Sequence, residues 1–467
     1  MITHANYMLL LILNNVRNFA CNAFGVNIFE SEVSFTDSFK VVDGFEFETM
    51  FVALTSWWGC LSTYVLSNCL SLKKVLLETL KEKNAVDGKC LVMKAGNYLG
   101  FEDICKDLCD EEVKRTIRDW PISLSTSSAN LGVIKVQARL EKTIATYLKK
   151  DAALVHMSNH ADNAVTLCPL LGPECLLIAD IESGDLCRLQ EESSGVVIRE
   201  FDASDTNEFE FIIGEAIING QPSHHRPWKK IIVFVEGLNL DKGAVCKLKE
   251  IVAIAKKYKA YVVVNEAHSI GAIGATGRGV CEYTGVDPSD VDILMGTFTK
   301  SFGGMGGYIA GSKEMIDYLK SSTAGMMVHN AMSPVVCQQV LTALRVIIGE
   351  DGTTMGREIT SALVENCRYF HNAMVGLGLH VYSDVDSPVV VIGVYCPHTE
   401  SFARECLKRG LTVQELPATS VILSRVRFCL SASLTREDLD FAIRVIDELS
   451  SLLMMKYSSL TCGRVDL

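Results

Sequence analysis

Two stretches of the chain carry residues that could do chemistry. In GTFTKSFGGMGGYIAGSK, Gly296 to Lys313, one lysine stands among hydroxyls and a run of glycines. Lys300 is either a solvated loop residue or an amine placed to form a Schiff base with a carbonyl compound. Thr297, Thr299 and Ser301 supply hydroxyl donors for a phosphate, and the glycines let a backbone approach it closely. A Schiff-base lysine beside a phosphate site is the arrangement that pyridoxal 5'-phosphate (PLP) requires. The second stretch is VVVNEAHSIGAIGATGRG, Val262 to Gly279. Asn265 and His268 end an apolar strand there, where a polar group needs a partner. His268 either donates to an oxygen on a bound ring or closes a strand-end hydrogen-bond network.

These stretches need elements to hold them. VQARLEKTIATYLKK (Val136–Lys150) has helical spacing, with Val136, Leu140, Ile144 and Leu148 on one face. The pattern then alternates: AALVH and CLLIAD as strands, FEFIIGEAIING as a helix, KIIVFVEG as a strand, LKEIVAIAKKY as a helix, AYVVVNEAHS and VDILMGTFTK as strands. Continuous apolar strands alternating with helices predict an α/β domain whose mostly parallel sheet is covered on both faces. Ligands of such sheets bind beyond the carboxyl ends of the strands, where NEAHS and TFTKS fall. Toward the end of the chain, VVVIGVY (Val389–Tyr395), RVRFCLSA (Arg425–Ala432) and the helical TREDLDFAIRVIDELSSLL predict a smaller α+β domain. The expected organisation is an N-terminal membrane-proximal segment over residues 1–90, a large α/β domain over 91–345 and a small α+β domain over 346–467.

The 467 residues allow one to three domains. Lys+Arg 44 against Asp+Glu 56 gives a net charge of −12, which argues against a nucleic-acid binder. The 17 cysteines are scattered without compact pairs, as in a reduced, cytosol-facing chain. YMLLLIL (Tyr7–Leu13) is too short to span a bilayer. Met50–Leu72 is uncharged and long enough, contains Trp57 and Trp58, and is followed by Lys73 and Lys74. Its seven Ser, Thr and Asn residues leave two readings, a membrane anchor or a buried or interfacial segment. The adjacent His224 and His225 lack zinc-ligand spacing, so a solvated loop is expected there. The i, i+4 pair His156 and His160 has no glutamate between its members as a metalloprotease helix does, and no metal site is expected. RPWKK (Arg226–Lys230) is expected to be a solvated strand start, with a lipid-headgroup contact as the alternative.

Taken together, residues 256–320, with HHRPWKKIIVFVEG (His224–Gly237), NYLGF (Asn97–Phe101) and RVRFCLSAS (Arg425–Ser433), resemble the α-oxoamine synthases. These are PLP-dependent enzymes of fold type I, with an aspartate-aminotransferase-like large domain and a small C-terminal α+β domain. The likeness runs from about residue 91 to about residue 458 and is closest to the catalytic-type subunit of serine palmitoyltransferase. It implies PLP as cofactor and a decarboxylative condensation of L-serine with a long-chain acyl-CoA to 3-ketodihydrosphingosine, in sphingolipid biosynthesis. By resemblance Lys300 is the Schiff-base lysine and proton-transfer base, Thr297 with Thr299 holds the phosphate, and His268 bonds the phenolic oxygen of the ring. Asn265 stands at the ring nitrogen and Arg427 holds the substrate carboxylate. The resemblance also implies a dimer, either of two copies or with a second serine palmitoyltransferase-type subunit that lacks the lysine. It places the complex at the endoplasmic reticulum membrane, on the cytosolic face.

The chain departs from that pattern in several places. The family has an aspartate where this chain has Asn265, and an asparagine brings no charge to the ring nitrogen. Loss of a charge-assisted bond costs roughly 1.5–3 kcal/mol, or roughly ten- to a hundredfold in rate. Glu266 does not substitute, because neighbouring strand residues face opposite sides. Gly184 aligns with the histidine that stacks on the ring. HMSNHADN (His156–Asn163) aligns with the glycine-rich turn near the phosphate, where Asp162 is a poor neighbour. Asn330 and Ala331 align with hydroxyls that reach across the dimer, Ser128 with an arginine and Gln137 with a histidine. Two alternatives to the active enzyme follow: a catalytically impaired partner or regulatory subunit of that complex, and a PLP-free membrane-anchored scaffold.

Overall fold

The computed structural model describes residues 90–456, apart from residues 95, 102, 105, 125–126, 128–132, 158–167, 184–193, 223, 324–329, 396–397, 417–422 and 454. The chain divides into two units, Met1–Asp87 and Gly88–Leu467, and the described residues all belong to the second. Met50–Leu72 therefore lies outside them. Among the described residues, no helix is long and apolar enough to cross a membrane.

The strands, in chain order, are β1 (Leu91–Val92), β2 (Ala152–His156), β3 (Cys175–Asp180), β4 (Val197–Phe201), β5 (Lys230–Glu236) and β6 (Tyr261–Asn265). After them come β7 (Ile293–Thr297), β8 (Gly307–Gly311), β9 (Val389–Tyr395), β10 (Leu411–Thr412), β11 (Gln414–Leu416) and β12 (Leu423–Cys429). Seven form the main sheet, in the order β2-β8-β7-β6-β5-β3-β4. The neighbours from β7 to β4 all pair parallel, and β8 runs antiparallel to both β7 and β2. The sheet is thus mostly parallel, as the apolar runs predict. The reversal at β8 has a geometric cause: residues 298–306 are too few for a crossover to a parallel neighbour, which takes a dozen or more residues.

Both faces of the sheet are covered, and the strand period shows it. Val233, Val235, Val262, Val264 and Leu294 enter one apolar cluster, while Ile232, Phe234, Val263, Ile293 and Met295 enter the other. Helix Leu248–Lys257 buries Leu248, Ile251, Val252 and Ala255, an apolar stripe at 3.6-residue spacing. Helix Thr206–Asn219 starts where the Asp205 carboxylate accepts from the backbone N–H groups of Asn207 and Glu208, and stops at Gly220. Helix Lys135–Tyr147 buries Leu140 and Ile144, and also Gln137, whose amide faces Glu141 at 3.5 Å.

A second sheet, β11-β12-β9, is antiparallel, with Arg427 of β12 paired with Val391 and Gln414. Helix Arg436–Leu452 closes this region, begun by a reciprocal Thr435–Asp438 capping box. The segment before the main sheet is stitched to this late part of the chain. β1 pairs parallel with β10, the Cys429 N–H bonds Met93 O at 2.8 Å, and the Ala432 N–H bonds Tyr98 O at 2.8 Å.

Candidate active site

Register decides what meets at the sheet edge. Asn265, the last residue of β6, pairs with Glu236, the last of β5, and with Met295 of β7. The turns that follow β5, β6 and β7 therefore share the carboxyl edge of the sheet, where α/β proteins hold ligands.

Lys300 sits in the turn after β7, and that turn is fixed at many points. The Phe298 N–H bonds Gly306 O at 2.9 Å, and the buried rings of Phe298 and Phe302 meet edge-on, 6.2 Å apart. The Ser301 hydroxyl donates to Ile270 O at 2.6 Å, which clasps this turn to the one after β6. Gly271, with φ +74°, passes so near that a Cβ there would lie 2.5 Å from the Cβ of Ser301. The Lys300 carbonyl accepts from the Tyr98 N–H at 2.8 Å. Beside its stem lies Gly96, where a Cβ would stand 3.2 Å from the Lys300 Cδ. The Thr297 hydroxyl is buried, donates to Gly306 O at 2.9 Å and lies 2.9 Å from the Thr299 hydroxyl. Thr299 is the more open of the two.

The turn after β6 holds the second pair of expected residues. Asn265 is buried, and its Oδ1 accepts from the Ala267 N–H at 3.1 Å. Its Nδ2 amino group is then the end left to face a ligand. His268 Nδ1 lies 2.9 Å from the Tyr98 hydroxyl. Glu266 faces the other way, as strand alternation requires. Its carboxylate accepts from the Ser269 hydroxyl and, at 3.1 and 3.2 Å, from the Val280 N–H. Burial pushes the Glu266 carboxyl up to about 7, against the pull of those hydrogen bonds.

Arg427 reaches the site region from the second sheet. Its Nη1 lies 3.4 Å from Leu240 O and 3.5 Å from a carboxylate oxygen of Asp241, in the turn after β5. Its Nε is buried with no hydrogen-bond partner, a donor left for a ligand to satisfy. Arg425, on the same side of the strand, donates from Nη1 to Asp241 O at 3.0 Å. Cys429, two residues beyond Arg427, ties the two parts together. Burial raises its thiol, and the charges of both Arg427 and Lys300 act to lower it.

The structure thus gathers Lys300, Thr297, Thr299, Asn265 and His268 on two adjoining turns, with Arg427 approaching from the second sheet. Gly184, Ser128 and residues 158–163 lie outside the described residues. Asn330 is exposed and Ala331 buried ahead of helix Pro334–Ile348. His156 ends a strand, so helical metal-ligand spacing does not apply to it. His224 and His225 are exposed in a loop. The ten described cysteines are free thiols.

Sequence reasoning missed Tyr98 as a member of the site. It is fully buried and touches three pieces of it: Lys300 through the backbone, His268 through its hydroxyl, and Ala432 through its carbonyl. The signal was a polar Asn-Tyr pair set directly before Leu99 and Gly100, and nothing local said what the tyrosine would face.

Residues 88–446 match the family model for aminotransferase class I and II. The chain is 42% identical over 372 residues to long chain base biosynthesis protein 2d of Oryza sativa subsp. japonica, covering 79% of this chain and 76% of that one. It is 40% identical over 372 residues to serine palmitoyltransferase 2 of Dictyostelium discoideum, with 79% and 76% covered. Among solved structures, the serine palmitoyltransferase of Sphingomonas wittichii superposes with a TM-score of 0.72 at 19% identity, over 84% of this chain and 98% of that one. A high-resolution structure of SPT with PLP gives 0.70 at 21% identity, over 78% and 88%. At these identities the structural likeness carries the fold, and the sequence relatives carry the family.

Proposed function

This chain belongs to the class I and II aminotransferase family, among its serine palmitoyltransferases and long chain base biosynthesis proteins, and from that premise we propose that it condenses L-serine with a long-chain acyl-CoA. The expected product is 3-ketodihydrosphingosine, with release of carbon dioxide. The observation that carries this reading is Lys300 on a clasped turn at the carboxyl edge of the sheet, with Arg427 held at 3.4 Å by Leu240 O in the turn after β5.

The donor set fits PLP. The close passage of Gly96 leaves the Lys300 stem free of a neighbouring side chain on that side, and the buried Arg427 Nε lacks a partner. Lys300 would hold the cofactor covalently, Thr299 backed by Thr297 would meet its phosphate, and His268 would donate to its phenolic oxygen. Asn265 would face the ring nitrogen through its amino group. When bound, PLP supplies an electron sink for the carbanion that forms at the serine α-carbon. Arg427 fixes the serine carboxylate by a two-point contact. Lys300 Nζ takes and returns the proton at the α-carbon.

In this reading residues 91–345 are the cofactor domain, 346–467 the small domain and 1–90 a membrane-proximal segment. The working unit is a dimer, of two copies or with a second serine palmitoyltransferase-type subunit, at the endoplasmic reticulum membrane and facing the cytosol. The test is an absorbance spectrum of the purified protein with PLP and then with serine. A visible band that Lys300→Ala abolishes, and that serine shifts, is expected, followed by ketone product from acyl-CoA. No band at saturating PLP would sink the reading. A second reading, an impaired partner subunit, draws on Asn265, whose neutral amide stands where a carboxylate would hold a proton on the ring. It predicts a PLP band without product, and product once a lysine-bearing subunit is added.

A further inference from the structure

The pair Tyr98–His268 carries chemical information that the position of the histidine alone does not. The Tyr98 hydroxyl is fully buried and lies 2.9 Å from His268 Nδ1. Among the described residues it has no other hydrogen-bond partner. Two proton arrangements are possible. If Nδ1 carried the proton and donated to the phenol oxygen, the phenol's own hydrogen would point into a buried space without an acceptor, an arrangement that folded proteins avoid. If the phenol donates and Nδ1 accepts, no buried hydrogen is stranded. The second arrangement requires Nδ1 bare, and a neutral imidazole with a bare Nδ1 carries its hydrogen on Nε2.

We propose that Tyr98 fixes His268 as its Nε2–H tautomer, making the histidine a one-way hydrogen-bond donor to an acceptor oxygen of the ligand held at Lys300. The tyrosine is well built for this. Its ring meets the imidazole edge-on, with centroids 6.3 Å apart and planes at 71°. Its backbone is held on both sides, by Lys300 O and by the Ala432 N–H. The hydroxyl therefore has little freedom to follow another acceptor. Tyr98 acts through His268 and is a positioning residue. The chemical consequence is selective: a deprotonated phenol-type oxygen is welcome at His268, and a group that must donate there is not. The ligand half of this inference rests on the PLP reading above, and the tautomer half does not.

The experiment separates the two halves. The cofactor-free chain is labelled with 15N in its histidine rings, and long-range proton–nitrogen spectra are recorded. His268→Gln identifies the His268 signals among the ten histidines. The wild type should show a pyridine-type Nδ1 and a pyrrole-type Nε2 at His268, and Tyr98→Phe should average the two. A protonated Nδ1 in the wild type overturns the proposal whether or not the variant folds, and so does an unchanged His268 signal in a folded Tyr98→Phe. The same proteins are then titrated with PLP, and Tyr98→Phe should bind it about threefold to tenfold more weakly. Equal affinity with a scrambled tautomer overturns the donor role. A locked tautomer in a wild type that shows no PLP band upholds the assignment and sinks the cofactor reading alone.

Discussion

If the proposed reading holds, two side chains set how well the site works, and both are open to single substitutions. Asn265 gives its oxygen to the Ala267 N–H and brings no charge to the ring nitrogen. Asn265→Asp should therefore raise kcat/KM for serine by about tenfold or more, the scale of one charge-assisted hydrogen bond. Equal or lower turnover with PLP still bound would sink that account. Arg427 has Asp241 beside it at 3.5 Å, a carboxylate at the place where, in the proposed reading, the substrate's own carboxylate would bind. Asp241→Asn should lower the KM for serine by about threefold while kcat moves less, because the substrate no longer displaces an internal anion. An unchanged or raised KM would refute the competition. The long-range contacts of Arg427 and of Tyr98 were not visible in the chain itself. Arg427 and Leu240 are 187 positions apart, Tyr98 and His268 170, and such pairs exist only once the fold has brought them together.

At the scale of the element, the turn after β6 is a device with two sides. Asn265 and His268 belong to the proposed site, and Glu266 between them is fully buried behind it. Burial lifts the Glu266 carboxyl from 4.5 to about 7, so the folded chain holds that proton more tightly than the unfolded chain does. The contribution to stability is thus full below the unfolded value, falls as pH climbs toward about 7, and is flat above it. Comparing unfolding midpoints with Glu266→Gln, the advantage of the wild type should shrink by up to about 3 kcal/mol between about pH 5 and about pH 8. A difference independent of pH would refute this. Much at this scale was legible in the sequence. The apolar runs of β3, β5, β6 and β7 and the stripe of helix Leu248–Lys257 follow from residue periodicity alone. The reversed β8 did not, because strand direction depends on the loop that delivers it.

Over the whole molecule, the site belongs to no single stretch. It takes Gly96 and Tyr98 from the start of the described chain, two turns from the middle and Arg427 with Ala432 from near its end. The family assignment carries an expectation of assembly: sedimentation equilibrium of the purified chain, alone or with its partner subunit, should return about twice the 51.3 kDa of one chain. A species at one chain mass that still makes product would refute a shared site. The stitching of residues 91–98 to residues 410–432 has a further consequence, for synthesis on the ribosome. The Ser431 hydroxyl bonds Asn97 O across 334 positions, so the early segment emerges long before the elements that seat it. At 5–20 residues per second the gap lasts on the order of tens of seconds, with Tyr98, Leu99 and Phe101 lacking their final neighbours. A nascent chain arrested before β12 should therefore show the segment around Tyr98 open to protease. A segment made late is the one that lets an early one become part of the site.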